Sequence, residues 1–194
     1  MPAPPSALVA GDLVFLRWPR ASDTKPFVAA VRASARLHGN WVQAPSTPAR
    51  FAAYRARFAG ARSRRGETAT HVGLLVCRIA DGAPVGVFNV SEIVRGAFQS
   101  GYIGYYALAP FAGRGYMSEG LELTLRFAFR ALRLHRVEIN IQPRNARSIL
   151  LARRAGFRRE GFSRRYVKLA GRWRDHERWA LVIEDWRARR VRSR

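Results

Sequence analysis

Ala109-Pro-Phe-Ala-Gly113-Arg-Gly115-Tyr-Met-Ser-Glu119 is the stretch that decides the fold. The segment before it, Gly101-Tyr-Ile-Gly-Tyr-Tyr-Ala-Leu108, has the aromatic-rich content of a strand. After it, Leu121, Leu125, Ala128, Phe129 and Leu132 recur with a period near 3.6, which predicts a helix from Tyr116 to about Leu134. A glycine turn between strand and helix leaves main-chain N–H groups aimed at one point, and the positive end of the helix dipole adds to them. That arrangement suits a phosphate or pyrophosphate. Gly113 and Gly115 also suit a tight turn with no ligand at all. The full dinucleotide-binding pattern is absent, since no third glycine and no following acidic residue stand where it needs them. The Walker pattern is absent too, because no Gly-Lys-Ser/Thr follows.

Outward from this turn the chain alternates short elements. Leu13–Trp18 reads as a first strand closed by Pro19. Ser22-Asp23 signals a helix start, with the helix running to about Ser34. Ser46-Thr-Pro48 opens a second helix carrying Phe51, Tyr54 and Phe58, expected to end in Ser63-Arg-Arg-Gly66. Thr70–Ala80 and Pro84–Val94 read as strands joined by the hairpin signal Asp81-Gly82. Beyond the long helix come strand Arg136–Ile141, helix Ala146–Ala155, and strands Gly161–Leu169 and Trp173–Val182 joined at Ala170-Gly171. The order is mixed α/β, without repeats.

Composition narrows the class. A chain of 194 residues fits one domain with a core large enough to need no staples. No apolar run reaches the length of a membrane span. Met1-Pro-Ala-Pro-Pro-Ser6 has neither the charged start nor the apolar centre of a secretory leader and reads as a short disordered lead. Cys77 is the single cysteine, which fits a reducing, cytoplasmic setting. It lies in the strand-like His71–Cys77 run and reads as a buried small hydrophobe. The 35 basic against 13 acidic residues give a net charge of +22, almost all from arginine. Such a field attracts polyanions. The C-terminal Arg187-Ala-Arg-Arg-Val-Arg-Ser-Arg194 reads as a flexible basic tail, able to touch RNA phosphates or simply to lie in solvent.

Four blocks, in order and at matching spacing, resemble the GNAT superfamily of acetyl-CoA-dependent N-acetyltransferases, and within it the ribosomal-protein-alanine N-acetyltransferases of the RimJ type. They are Asn89–Phe98, Ala112–Glu119, Leu134–Glu138 with Pro143-Arg-Asn145, Ser148 and Ala155-Gly-Phe157, and Gly171–His176 with Trp179–Leu181. The resemblance implies a GNAT fold, α/β of the α+β kind. Its mostly antiparallel sheet has about seven strands, splayed between the fourth and fifth, with about four helices. It implies one domain over residues 1–186, followed by the basic tail of 187–194. Acetyl-CoA would lie in the splay, its pantetheine arm held by backbone groups of Ala107, Leu108 and Ala109, one N–H of which polarises the thioester carbonyl. The amides of Ala112, Gly113, Arg114, Gly115, Tyr116, Met117 and Ser118 would take the pyrophosphate. The Arg114 side chain would add charge or face solvent. Where the family usually has a polar residue three places before Gly113, this chain has Pro110.

Asn145 can cap the helix it precedes, and by resemblance it also contacts coenzyme A. Many relatives have a tyrosine seven residues after this asparagine as the acid for the leaving thiolate; here Ala152 stands there, and Ser148 is the nearest polar alternative. For the base, Glu92 is the candidate, acting through water from an apolar setting beside the cleft. His135 and Glu138 fit structural roles, and pairing with neighbouring arginines accounts for Asp175-His176-Glu177. No metal ligands are assigned. An α-amine, with a pKa near 8, needs only a weak base, whereas a lysine amine near 10.4 needs a strong one. That favours a protein N-terminus, and the resemblance implies an alanine or serine of a ribosomal protein, with ribosomal RNA contact through the basic surface. The state expected is monomer or homodimer, off the membrane. The rivals are a small-molecule amine acetyltransferase and an RNA- or ribosome-binding protein that has kept the fold without turnover.

Overall fold

In the computed structural model, which describes residues 4–60 and 69–192, eight strands form one sheet. They are β1 (Val9–Ala10), β2 (Val14–Arg17), β3 (Val72–Arg78), β4 (Pro84–Val94), β5 (Ser100–Ala107), β6 (Arg136–Ile141), β7 (Arg158–Leu169) and β8 (Arg172–Val182). Their spatial order is β1-β2-β3-β4-β5-β6-β8-β7. Every neighbouring pair is antiparallel except β5 and β6, which run parallel. The strand beyond the seven expected is the two-residue β1, held by the Leu8 N–H on Leu16 O (2.8 Å).

Helices α1 (Thr24–Ala33), α2 (Ala35–His38) and α3 (Pro48–Arg57) separate β2 from β3. Asp23 does more than start a helix. Its carboxylate takes two buried hydrogen bonds from Arg17 (2.6 and 2.7 Å) and a half-buried one from the Arg20 N–H (2.6 Å). Pro48 sits in the first turn of α3, and Thr47 Oγ1 accepts the Arg50 N–H, as the sequence predicts. Phe51, Phe27 and Tyr54 stack where α3 meets α1, and the Tyr54 hydroxyl donates to Asn89 Oδ1 (2.8 Å). The expected end of this helix, Ser63–Gly66, and the first three residues of the chain lie outside the described residues. Pro4 and Ala7 close a turn.

Helix α4 (Tyr116–Arg126) covers one face of the sheet, passing into a π-helical turn at Phe127–Ala131. Gly120 lets it lie close: a methyl group there would stand 3.1 Å from both Phe88 and Val76. Leu121, Leu125, Ala128, Phe129 and Leu132 are all buried, the face their period predicts. Helix α5 (Ala146–Arg154) precedes the β7–β8 hairpin, which turns at Ala170 and Gly171, both in the left-handed region (φ 48° and 78°).

Helix α6 (Ile183–Arg192) follows the sheet, so the basic run expected to be a tail from Arg187 is helical as far as it is described. Its anchor is Trp186, 2 % exposed, whose indole N–H donates to Glu122 of α4 (3.0 Å) while Arg189 pairs with the same carboxylate. The domain limit expected at 186 therefore falls inside a packed helix. Cys77 is fully buried, and burial pushes its thiol up to about 12, leaving it an inert hydrophobe.

Candidate active site

Strands β5 and β6 pair only from Ser100↔Arg136 to Tyr102↔Glu138. Gln99 O closes this end by accepting the His135 and Arg136 N–H groups (2.7 and 3.2 Å). Past Tyr102 the two strands part and open a cleft of about 1170 Å³. The fold thus has the expected splay, one strand later in the count because β1 precedes it.

The edge of β5 presents fewer free amides than expected. Leu108 donates its N–H to Val85 O (2.9 Å), so by strand alternation the even residues face β4 while Ile103, Tyr105 and Ala107 face the gap. Ala109 gives its N–H to the buried Ser34 hydroxyl (2.8 Å), which itself bonds Ala30 O (2.6 Å). The amides of Leu108 and Ala109 are therefore committed inside the protein, and Ala107 is left to present its N–H to the gap. Its carbonyl accepts from His38 Nε2 (2.8 Å), which ties α2 to the strand edge.

The glycine turn has the geometry of an anion cradle. Gly113 and Gly115 sit at φ 80° and 81°, and a methyl group at either would meet nothing within 4 Å. Conformation, not crowding, therefore demands glycine here. Gly115 caps α4 without a side-chain bond. The Ala112 and Ser118 amides, expected as donors, are taken by Ala109 O (3.2 Å) and Gly115 O (2.9 Å). The N–H groups of Gly113, Arg114, Gly115, Tyr116 and Met117 lie between these two bonds, at the positive end of the helix. All of these residues except Arg114 line the cleft; the Arg114 side chain faces solvent. Glu119 turns the other way and fastens the Asp12–Leu13 amides.

Across the cleft, Asn145 Oδ1 accepts the Ser148 N–H (3.2 Å), capping α5. Ser148 O accepts the Tyr105 hydroxyl (3.3 Å), whose pKa burial raises to about 12. Asn145 and Ser148 thus meet the turn in one cleft. Arg36, Arg144, Arg147 and Arg154 line it as well, and no described carboxylate does.

Glu92 is not in that cleft. A register shift between Ser91 and Val94 puts Glu92 at φ 48°, out of the pleat, and its side chain is 66 % exposed. It pairs with His71 Nε2 (3.1 Å). The apolar setting expected for a base is absent, because the bulge turns this side chain outward. His176 is the converse case. Glu177 pairs with Arg159 (3.2 Å), as expected for this run, and Asp175 takes the Arg165 N–H (2.7 Å). His176 is 4 % exposed and lines the cleft, with Nδ1 3.0 Å from Arg174 O. Ser34 and His38 are the residues that sequence reasoning missed, since neither stands in a local pattern that marks it; His176, read from sequence as explained by pairing with neighbouring arginines, instead lines the cleft.

A mixed sheet splayed beside a helix that opens on a glycine turn, with an arginine-lined cleft between, is built for an extended phosphate-bearing ligand. The chain belongs to the family of GNAT acetyltransferase domains, whose model matches residues 14–158. It is 40 % identical over 102 residues to the [ribosomal protein uS5]-alanine N-acetyltransferase of Escherichia coli, covering 53 % of each chain. It is 36 % identical over 115 residues to a probable N-acetyltransferase, YjcK, of Bacillus subtilis, covering 59 % of this chain and 62 % of that one. These matches span roughly half to three-fifths of the relatives' lengths. A solved structure of Mycobacterium smegmatis RimJ in complex with CoA-disulfide superposes with a TM-score of 0.80 at 26 % identity, over 90 % of this chain and 87 % of that one. Among the described residues no helix is long and apolar enough to cross a membrane, and no cluster of metal-binding side chains occurs.

Proposed function

We propose that this protein transfers an acetyl group from acetyl-CoA directly to a protein N-terminal α-amine, an alanine or serine of a ribosomal protein, in the cytoplasm. The observation that carries this reading is the cleft itself: the anion cradle of Gly113–Met117 at one end, the Ala107 strand edge in the middle, and an opening between α2 and β8 at the other. The pyrophosphate sits on the cradle amides, and the arginines of the cleft meet the remaining phosphate charge. Pantetheine lies along β5, and the Ala107 N–H polarises the thioester carbonyl. The amine attacks that carbon; the C–N bond forms, the C–S bond breaks, and Ser148 supplies the proton that the sulfur gains.

The relative named as a [ribosomal protein uS5]-alanine N-acetyltransferase supports an alanine of a ribosomal protein as acceptor. The cleft chemistry independently supports an α-amine. With no described carboxylate in the cleft, the site offers only weak bases, and an α-amine with a pKa near 8 is already partly neutral at pH 7. The net charge of +22 suits docking on ribosomal RNA beside the substrate. The test is thiol release from acetyl-CoA with short peptides starting Ala, Ser, Met or Gly, beside polyamines and aminoglycosides. Turnover confined to the Ala and Ser peptides is expected. Faster turnover of the small amines refutes the acceptor assignment.

A further inference from the structure

The acceptor end of the cleft needs a group to take a proton from the attacking nitrogen, and the described residues narrow the choice. No described carboxylate lines the cleft, and Glu92 is exposed and tied to His71. His38 is committed: a carbonyl oxygen can only accept, so its Nε2 must carry the proton that bonds Ala107 O. Its role is to hold the strand edge. His176 has the opposite polarity. Its Nδ1 faces Arg174 O at 3.0 Å, so the proton resides on Nδ1 and Nε2 keeps a lone pair. Asn140, on β6 beside β8 (Asn140↔Arg178), lines the same cleft, and its buried Oδ1 makes no hydrogen bond. A lone pair and an acceptor oxygen at one end of a cleft match the hydrogens of an amine.

We propose that His176 is the general base of the transfer, its Nε2 taking the proton released as the α-amine nitrogen bonds to the acetyl carbon, while Asn140 Oδ1 receives a second amine N–H. This assignment rests on the acceptor reading above. The proton leaves a nitrogen made strongly acidic by C–N bond formation, so a weak base is sufficient. The proton is then released from imidazolium to solvent, and the departing thiolate is protonated from the Ser148 side. Burial holds the His176 imidazole below its ordinary range, with the Arg174 carbonyl and the neighbouring Asp175 carboxylate opposing it. The ring is therefore neutral at pH 7. Tyr166 of β7 faces it, with ring centroids 6.4 Å apart, and Arg36, His38, Tyr106 and Arg144 are titratable or charged groups lining the same cleft.

His176→Asn tests this, because the short amide can still donate to Arg174 O but has no base at the Nε2 position. The expected result is a kcat at least about 100-fold lower at pH 7, an acetyl-CoA KM within about twofold, and loss of the acid limb that wild type shows as pH falls through the His176 pKa. Imidazole ¹⁵N NMR of the wild type should show the Nδ1–H tautomer with a midpoint below 6.5. A variant within about threefold of wild type with its acid limb intact, or an Nε2–H tautomer, overturns the assignment, as does a limb that vanishes only in His38→Gln. Wild-type preference for lysine or polyamines, with the same His176→Asn loss, overturns the α-amine reading and leaves the base in place.

Discussion

Replacing Gly115 by alanine isolates the cradle from everything else the glycine turn does. The added methyl meets no atom within 4 Å, so no steric clash enters the outcome. What remains is the φ of 81°, which costs an L-residue about 1–2 kcal/mol. If the backbone holds its shape, that strain appears as lost stability alone, a fall in Tm of about 2–8 °C for a chain of this size. If the strain is relieved by flipping the Arg114–Gly115 peptide, the Gly115 amide turns from the phosphate. One charge-assisted hydrogen bond is worth about 1.5–3 kcal/mol, so the affinity for coenzyme A then falls about 10- to 150-fold. Because Gly115 is exposed and caps α4 with no side-chain bond to hold it, relief by flipping is expected. Gly115→Asn, which tolerates the left-handed region better, should recover most of the affinity. Coenzyme A titration calorimetry, with thermal melts of the same samples, separates the two effects. Unchanged affinity with an unchanged Tm, the mark of a turn that has relaxed and still binds, would refute the assignment of the Gly115 amide to the pyrophosphate. Unchanged affinity with a lower Tm means that the backbone has held its shape.

Asp23→Ala leaves the buried Arg17 guanidinium without its carboxylate and should cost about 3–5 kcal/mol of stability, read as a lower midpoint in guanidinium chloride. Ser148→Ala should lower kcat about tenfold or more while the Tm stays within about 2 °C, since only the side chain, not the capped N–H or the Tyr105 bond, is removed. Glu92→Gln should leave kcat within about twofold, because the side chain is exposed and outside the cleft. Arg147→Ala should raise the acetyl-CoA KM a few fold at low salt, and the difference from wild type should vanish near 1 M salt, where the screening length falls to about 3 Å. A variant effect that persists at high salt would mean that Arg147 acts by packing instead.

What the sequence made legible was local. The strand, the glycine turn and the helix from Tyr116 lie within one stretch of chain, so period and turn chemistry sufficed, and Asn145 capping α5 followed the same way. What it hid depends on distant contacts. The Ala109 amide is lost to Ser34, a residue between α1 and α2 that no spacing connects to the turn. Glu92 fails as a base because a bulge shifts the alternation by which a strand side chain is placed, and period-two reasoning assumes that no bulge occurs. The basic C-terminal run looks like a tail until Glu122 arrives from α4 to hold Trp186 and Arg189. His176 sits between two charged residues and reads as part of a solvated hairpin, yet strand alternation turns it alone of the three into the cleft.

Four arginines and no described carboxylate in the cleft raise a question about the acceptor, since an ammonium ion approaching such a surface is repelled. Two features resolve it together. Three of the four, Arg144, Arg147 and Arg154, lie on or beside α5, so in the proposed reading bound acetyl-CoA sets its phosphates against them and lowers the repulsion before an amine enters. The residues proposed to meet the amine, His176 and Asn140, are neutral acceptors of hydrogen bonds, which do not hold the ammonium form as a carboxylate would. A site of this kind selects by the fraction already neutral. At pH 7 that fraction is about a tenth for an α-amine and below about one in a thousand for a lysine side chain. The absence of a strong base in the described cleft therefore does not weaken the enzyme reading. Under the proposed reading it works as a filter that favours α-amines over lysine side chains.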